Sequence, residues 1–195
     1  PATWSKLLSA YLHDVMAQGI LRIYADVSDQ PLPVNTFAGV GFQVYSRQTI
    51  WRLFTPTVES YRQNVKATVR YRTDADEWAL TQLYTQSVPD VVQQAEGWQG
   101  LTGERVPILR SWLGEHGLTF VLADGLSVIG AVQAVTGMHG SWLQWWADPL
   151  RPNTEVIEQL LCVGLSTIRE NNWRTPVYLV VADYQGGMSP LLSDY

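Results

Sequence analysis

The sequence predicts an α/β chain, of the α+β kind, in which a mixed, mostly antiparallel sheet is flanked by helices. Three observations carry this. Residues 118–124 and 126–137 read as two strands joined at Asp124-Gly125, a pair that accepts the positive φ a tight hairpin needs. A third strand, aromatic and alternating, follows at 141–148. Beyond Pro149, residues 154–170 set Val156, Leu160, Leu161, Leu165 and Ile168 at helical spacing, and the apolar run 176–183 then reads as a buried strand.

The remaining elements follow in chain order. Residues 4–18 place Trp4, Leu7, Leu8, Tyr11, Leu12 and Val15 at helical spacing, and Gly19 supplies the stop. The run 21–27 is expected to be a short buried strand. Two prolines make 28–36 a loop or a broken helix, and 41–54 reads as a strand or hairpin. The polar, turn-rich residues 55–67 read as a linker. A new unit opens with a short strand at 69–73. Asp74 or Asp76 then caps a helix with Trp78, Leu80, Leu83 and Tyr84 as expected core, which Pro89 ends. A less regular helical region covers 90–116, and the chain closes in a loop leading to a short helix.

Composition narrows the function. The 195 residues suffice for one domain or parts of two, and 46% are hydrophobic, enough for a core. Only 16% are charged, against about 25% in a typical domain. Together with nine Trp, this implies a surface covered by a second domain or a partner chain. The net charge of −5 and the lack of a Lys/Arg cluster argue against nucleic acid as a partner. The single cysteine, Cys162, excludes an internal disulfide and a Cys-based metal cage, and is expected to be a small core residue. Three scattered His give no metal spacing, and no Gly-x-Ser-x-Gly elbow or Gly-x-x-x-x-Gly-Lys phosphate loop occurs. No apolar run approaches the roughly 18 residues that span a bilayer. No signal peptide is visible, so the expectation is a cytoplasmic protein without a membrane partner.

Two features repeat. A helix with a Leu-Leu pair (Leu7-Leu8, then Leu160-Leu161) is followed each time by a short apolar strand, and then by a Gln in a Pro-containing loop (Gln30, then Gln185).

The order strand, helices, three antiparallel strands, helix, strand, helix resembles the acyl-CoA N-acyltransferase (GNAT) superfamily. LTFVLADGLSVIGAVQAV followed by HGSWLQWWADP is similar to that family's second, third and fourth strands. Pro149 precedes Leu160 and Leu161 at the family's spacing, and GFQVYSRQTIWRLF resembles its closing Gly-Phe strand. On this resemblance residues 1–54 are the back half of a first copy and 55–67 a linker. Residues 68–195 are then a second copy lacking its closing strand, within a longer tandem or permuted protein.

The resemblance implies acetyl transfer from acetyl-CoA to a small-molecule amine or a peptide N-terminus. The partner would be a second subunit in a homodimer or another GNAT copy. Trp146 and Ala147 at the end of the fourth strand, Arg151, Asn153 and Thr154 at the start of the next helix, and Gln185 after the last strand would face the cofactor. A pyrophosphate would rest on free N–H groups at the helix start, where close approach favours glycine. The matching stretch, 152–157, has no glycine, and Glu155 and Glu158 add like charge there. In the first copy Ala2 and Trp4 hold the matching glycine positions. The family's acid, a Tyr ahead of Gly-Phe, is replaced by Phe37 and Leu192, which leaves Tyr184 as the substitute donor. Candidate bases are His139, His116, Glu77, Glu96 and Glu104. Trp142 and Trp146 share one strand face and Trp145 takes the other, which implies a strand covered on both sides, one of them able to line an acyl or aromatic slot. The alternative reading is a non-catalytic GNAT-like module for dimerisation, domain packing or ligand sensing.

Overall fold

Alternation along residues 117–147 produces the expected meander in the computed structural model, which describes residues 2–54, 68–96, 117–125, 127–149 and 154–185. Two compact units divide at Arg47/Gln48.

In the second unit, strands β3 (Gly117–Asp124), β4 (Ser127–Gly137) and β5 (Gly140–Ala147) pair antiparallel in sequence order. Gly125 takes φ 62° in the first turn, as the Asp-Gly signal requires. Strand β2 (Thr68–Tyr71) adds antiparallel to β3. Helix α5 (Thr154–Glu170) then carries the chain across the sheet, and β6 (Val177–Ala182) returns parallel to β5 with Ser141 opposite Val177. The remaining edge of β6 is taken by β1 (Gln48–Leu53), antiparallel, from Gln48 opposite Ala182 to Leu53 opposite Val177. The six-stranded order is β1-β6-β5-β4-β3-β2. The mixed, mostly antiparallel sheet is therefore as expected, with 141–143 and 177–179 as its parallel pair.

The period of two splits the sheet into two buried faces. On one, Leu122, Val132, Leu143, Trp145, Val177 and Leu179 meet Val156, Leu160, Leu161, Leu165 and Ile168 of α5, with Trp51 and Leu53 of β1 at the margin. Each such aliphatic chain removed from water contributes roughly 1.5–3 kcal/mol. Contact is close enough that a Cβ added at Gly164 would lie 2.7 Å from Leu143 Cδ2. The other face holds the buried row Val121, Ala131 and Trp146, which is not part of the α5 cluster. Helix α3 (Glu77–Ser87) lies along β4 and β5, with Leu80, Leu83 and Tyr84 buried, and the short α4 (Asp90–Ala95) follows it.

Asp76 starts α3. A single 3-10 turn, Asp74–Asp76, leads in. There Thr73 donates both its N–H (2.8 Å) and its hydroxyl (2.9 Å) to Asp76 Oδ2, satisfying a donor left over at the helix start. Arg70 clamps the same carboxylate with two bonds of 2.6 Å.

In the first unit, α1 (Ala2–Ala17) ends as expected at Gly19, φ 80°, with Gly19 N–H donating to the Met16 carbonyl and Ile20 N–H to that of Val15. One expectation needs correcting. Residues 21–27 form no strand. The two-proline stretch folds as α2 (Pro31–Ala38), because a Pro at the first helical position costs no hydrogen bond. Within 41–54 only β1 is a strand. Trp78 of α3, expected in the core, is exposed, and of the spaced apolar residues of α1 Val15 is buried while Trp4, Leu7 and Tyr11 are exposed, so helical spacing marked an apolar stripe without marking its burial. The linker 55–67, the end of the 90–116 region and the closing segment from 186 lie outside the described residues.

Candidate functional site

Parallel pairing of β5 and β6 is brief. Cα partners run from Ser141/Val177 to Leu143/Leu179 and stop, although β5 continues to Ala147 and β6 to Ala182. The pair is pinned at its start, where Ser141 N–H donates to the Pro176 carbonyl (3.0 Å) and Ser141 Oγ to that of Arg174 (2.7 Å). Beyond Leu143 the strands splay. A notch results, bounded by the Trp145 carbonyl on one strand and the Ala182 N–H on the other.

Gln185 fills this notch. Its Nε2 donates to the Trp145 carbonyl at 2.8 Å, its Oε1 accepts the Ala182 N–H at 2.8 Å, and its own N–H donates to the Ala182 carbonyl at 2.9 Å. One side-chain amide thus substitutes for the missing rung of the ladder, giving both half-buried strand ends the partners that buried backbone requires.

Trp146 and Ala147 follow Trp145 along β5, and Tyr184 directly precedes Gln185. Trp146 is buried on the α3 side, opposite Ala131, while Ala147 is half-buried opposite Gly130 and packs on the core. Thr154 is the exposed first residue of α5, with Glu155 in the same turn. Tyr184 sits in the turn between β6 and Gln185, its N–H donating to Asp183 Oδ1. Arg151 and Asn153 fall outside the described residues. Cys162 is half-buried.

On the α3 side, Tyr84 and Glu96 are both buried, and the Tyr84 hydroxyl donates to Glu96 Oε2. Burial pushes the Glu96 carboxyl above its ordinary pKa, partly opposed by that hydrogen bond. Gln93 braces the pair's surroundings, its Nε2 donating to the carbonyls of Val88 (2.6 Å) and Thr85 (3.0 Å). His139 lies exposed in the β4–β5 turn and Glu77 half-buried at the start of α3. His116 and Glu104 are outside the described residues. Sequence reading placed Glu96 among five candidates. Its partner Tyr84 was read only as core, since a hydroxyl twelve residues away leaves no local signal.

Trp142, an exposed residue near the start of β5, stacks on Tyr178 at 4.7 Å between ring centroids, and Arg52 lies over the rings of Phe54 (4.4 Å) and Tyr178 (5.8 Å). Trp145 and Trp146 are buried on opposite faces, so the strand is covered on both sides there, as its aromatic pattern implied. Among the described residues, no group of His, Cys, Asp and Glu could hold a metal ion, and no helix is long and apolar enough to cross a membrane.

No family model and no curated protein matches the chain. Solved structures do resemble it. A functionally unknown conserved protein from Staphylococcus epidermidis has a TM-score of 0.58 at 10% identity, over 88% of this chain and 64% of that one. A GCN5-related N-acetyltransferase from Kribbella flavida has 0.52 at 13% identity, over 95% of this chain and 42% of that one. Another, from Sphaerobacter thermophilus, has 0.50 at 13% identity, over 85% and 51%. The chain therefore spans between 42% and 64% of the length of these structures. At such identities the likeness is one of fold, and the fold is that of the GCN5-related N-acetyltransferases.

Proposed function

We propose that this chain serves a protein that transfers an acetyl group from acetyl-CoA to an amine, and that its own sheet is a cofactor-silent packing module within that protein. The observation that carries this is the Gln185 amide, which occupies the β5–β6 notch and binds the two backbone groups flanking it. In this fold the splay between those strands is where an acyl-CoA arm would find free backbone groups. Here the chain's own amide competes for them.

The residues fit acetyl-CoA poorly at the phosphate end as well. No glycine occurs from Asp148 through Val163, so backbone cannot approach a pyrophosphate closely, and Glu155 puts a carboxylate in the first turn of α5. Of the selected residues, Thr154 could offer an N–H and a hydroxyl to a phosphate, Trp146 and Ala147 would border the arm, and Tyr184 would be the nearest phenol in sequence. None of these replaces the missing donors. A role tied to acetyl-CoA through a neighbouring domain fits a cytoplasmic protein and a surface covered by a homodimer mate or another copy of the fold.

Calorimetric titration of the chain with acetyl-CoA to millimolar concentration, alongside a thermal-shift scan, is expected to show neither saturable heat nor stabilisation. Turnover of acetyl-CoA by this chain with small amines or a peptide N-terminus would overturn the reading.

A further inference from the structure

Helices α1 and α5 share a leucine pair and the same kind of stop. Offset by 153 residues, the pair Leu7-Leu8 answers to Leu160-Leu161, and the stops coincide. Gly19 (φ 80°) answers to Asn172 (φ 50°), with Asn172 N–H on the Arg169 carbonyl and Trp173 N–H on that of Ile168, as Gly19 is on Met16 and Ile20 on Val15. After each stop comes an apolar run ending in Ala-Asp: Ile23 to Asp26 in one, Val180 to Asp183 in the other.

Their surroundings differ. Leu160, Leu161, Gly164, Leu165 and Ile168 are buried on β3–β5, and β6 pairs parallel with β5. In the first unit the matching positions are only partly covered, with Leu7 59% and Tyr11 60% exposed, Leu8 and Leu12 half-buried and Val15 buried, and Leu21 is 96% exposed in a run that forms no strand. An apolar stripe of this kind on a helix marks a contact surface.

We propose that α1 and residues 21–27 are the docking half of a second GNAT-type sheet, and that its occupant is an antiparallel meander of the β3–β4–β5 kind with an open last edge. Residues 21–27 would add parallel to that edge while α1 covers the face, as β6 and α5 do in this chain. A second copy of the chain does not fit. Its β5 edge is already taken by β6, and Tyr11 falls where α5 has Gly164, whose absent Cβ leaves room for Leu143 at 2.7 Å. The partner meander must carry a small residue at the place of Leu143.

The test uses the full chain, extended ahead of Pro1 by a copy of its own residues 117–153. This spacing reproduces that of β3–β5 to α5. One extension keeps Leu143 and the other carries Leu143→Ala. Hydrogen–deuterium exchange is followed in α1 and 21–27, with α5 and β6 as internal reference. The Leu143→Ala extension is expected to slow exchange at least about tenfold, and the unchanged extension to do so only when Tyr11→Gly is added to α1. Equal protection by both forms without Tyr11→Gly, or none from Leu143→Ala, overturns the proposal. So does an unextended chain that sediments as a dimer and becomes a monomer with Leu7→Lys, which would make the occupant a second copy.

Discussion

Replacing Gln185 by Ala isolates what closes the notch. Two hydrogen bonds of 2.8 Å are lost, to the Trp145 carbonyl and from the Ala182 N–H. A net 0.5–1.5 kcal/mol for each gives about 2 kcal/mol in all, because water reaches a half-buried site and partly replaces them. For a unit of this size that is about 4–8 °C in Tm. Urea unfolding followed by Trp fluorescence is the assay, read at unchanged m-value so that the loss belongs to the folded state. Gln185→Glu keeps an acceptor for Ala182 but sets a carboxylate against the Trp145 carbonyl, so it should be no more stable than Gln185→Ala at pH 7. Neither variant should gain acetyl-CoA binding, since the phosphate end is unchanged. A loss below about 0.5 kcal/mol for Gln185→Ala would refute the bridge, since such a value is typical of a surface side chain.

Other perturbations test the frame around the notch. Asp76→Ala removes the clamp at the start of α3 and should cost about 2–3 kcal/mol at pH 7, because Arg70 and the Thr73 N–H lose a charged partner. Arg70 hydrogen-bonded to Asp76 holds that carboxyl well below the usual range, so the contribution is present above the unfolded pKa of about 3.9 and is lost as pH falls below it. The gap between wild type and Asp76→Ala in urea should therefore narrow between pH 5 and pH 2. Glu96 has the opposite sign: its folded pKa is raised, so its charged form opposes folding as pH climbs above about 4.3. Glu96→Gln, which keeps an acceptor for Tyr84, should be more stable than wild type at pH 7 and equal to it near pH 4. Gly164→Ala forces a methyl against Leu143, which is fully buried and cannot yield, and should cost about 1–3 kcal/mol in the same assay.

What could be read in the sequence was whatever local chemistry decides. Asp124-Gly125 fixed a turn, Gly19 a helix stop, and the spacing of Leu160, Leu161, Leu165 and Ile168 a helix from 154 to 170, because each needs only its own neighbours. The parallel placement of β6 depends on how α5 carries the chain across the sheet, which local chemistry does not encode. Failures cluster where the outcome depends on a partner. Residues 21–27 have the composition of a strand, but a strand exists only against another, and the same physics leaves Trp4, Leu7 and Tyr11 of α1 uncovered. The site follows the same division. Gln185 was legible as a polar residue after a strand. That its amide spans to Trp145, forty residues away, depends on how far β5 and β6 diverge, and this distance is set by the whole sheet. The notch is thus a property of topology that one side chain completes.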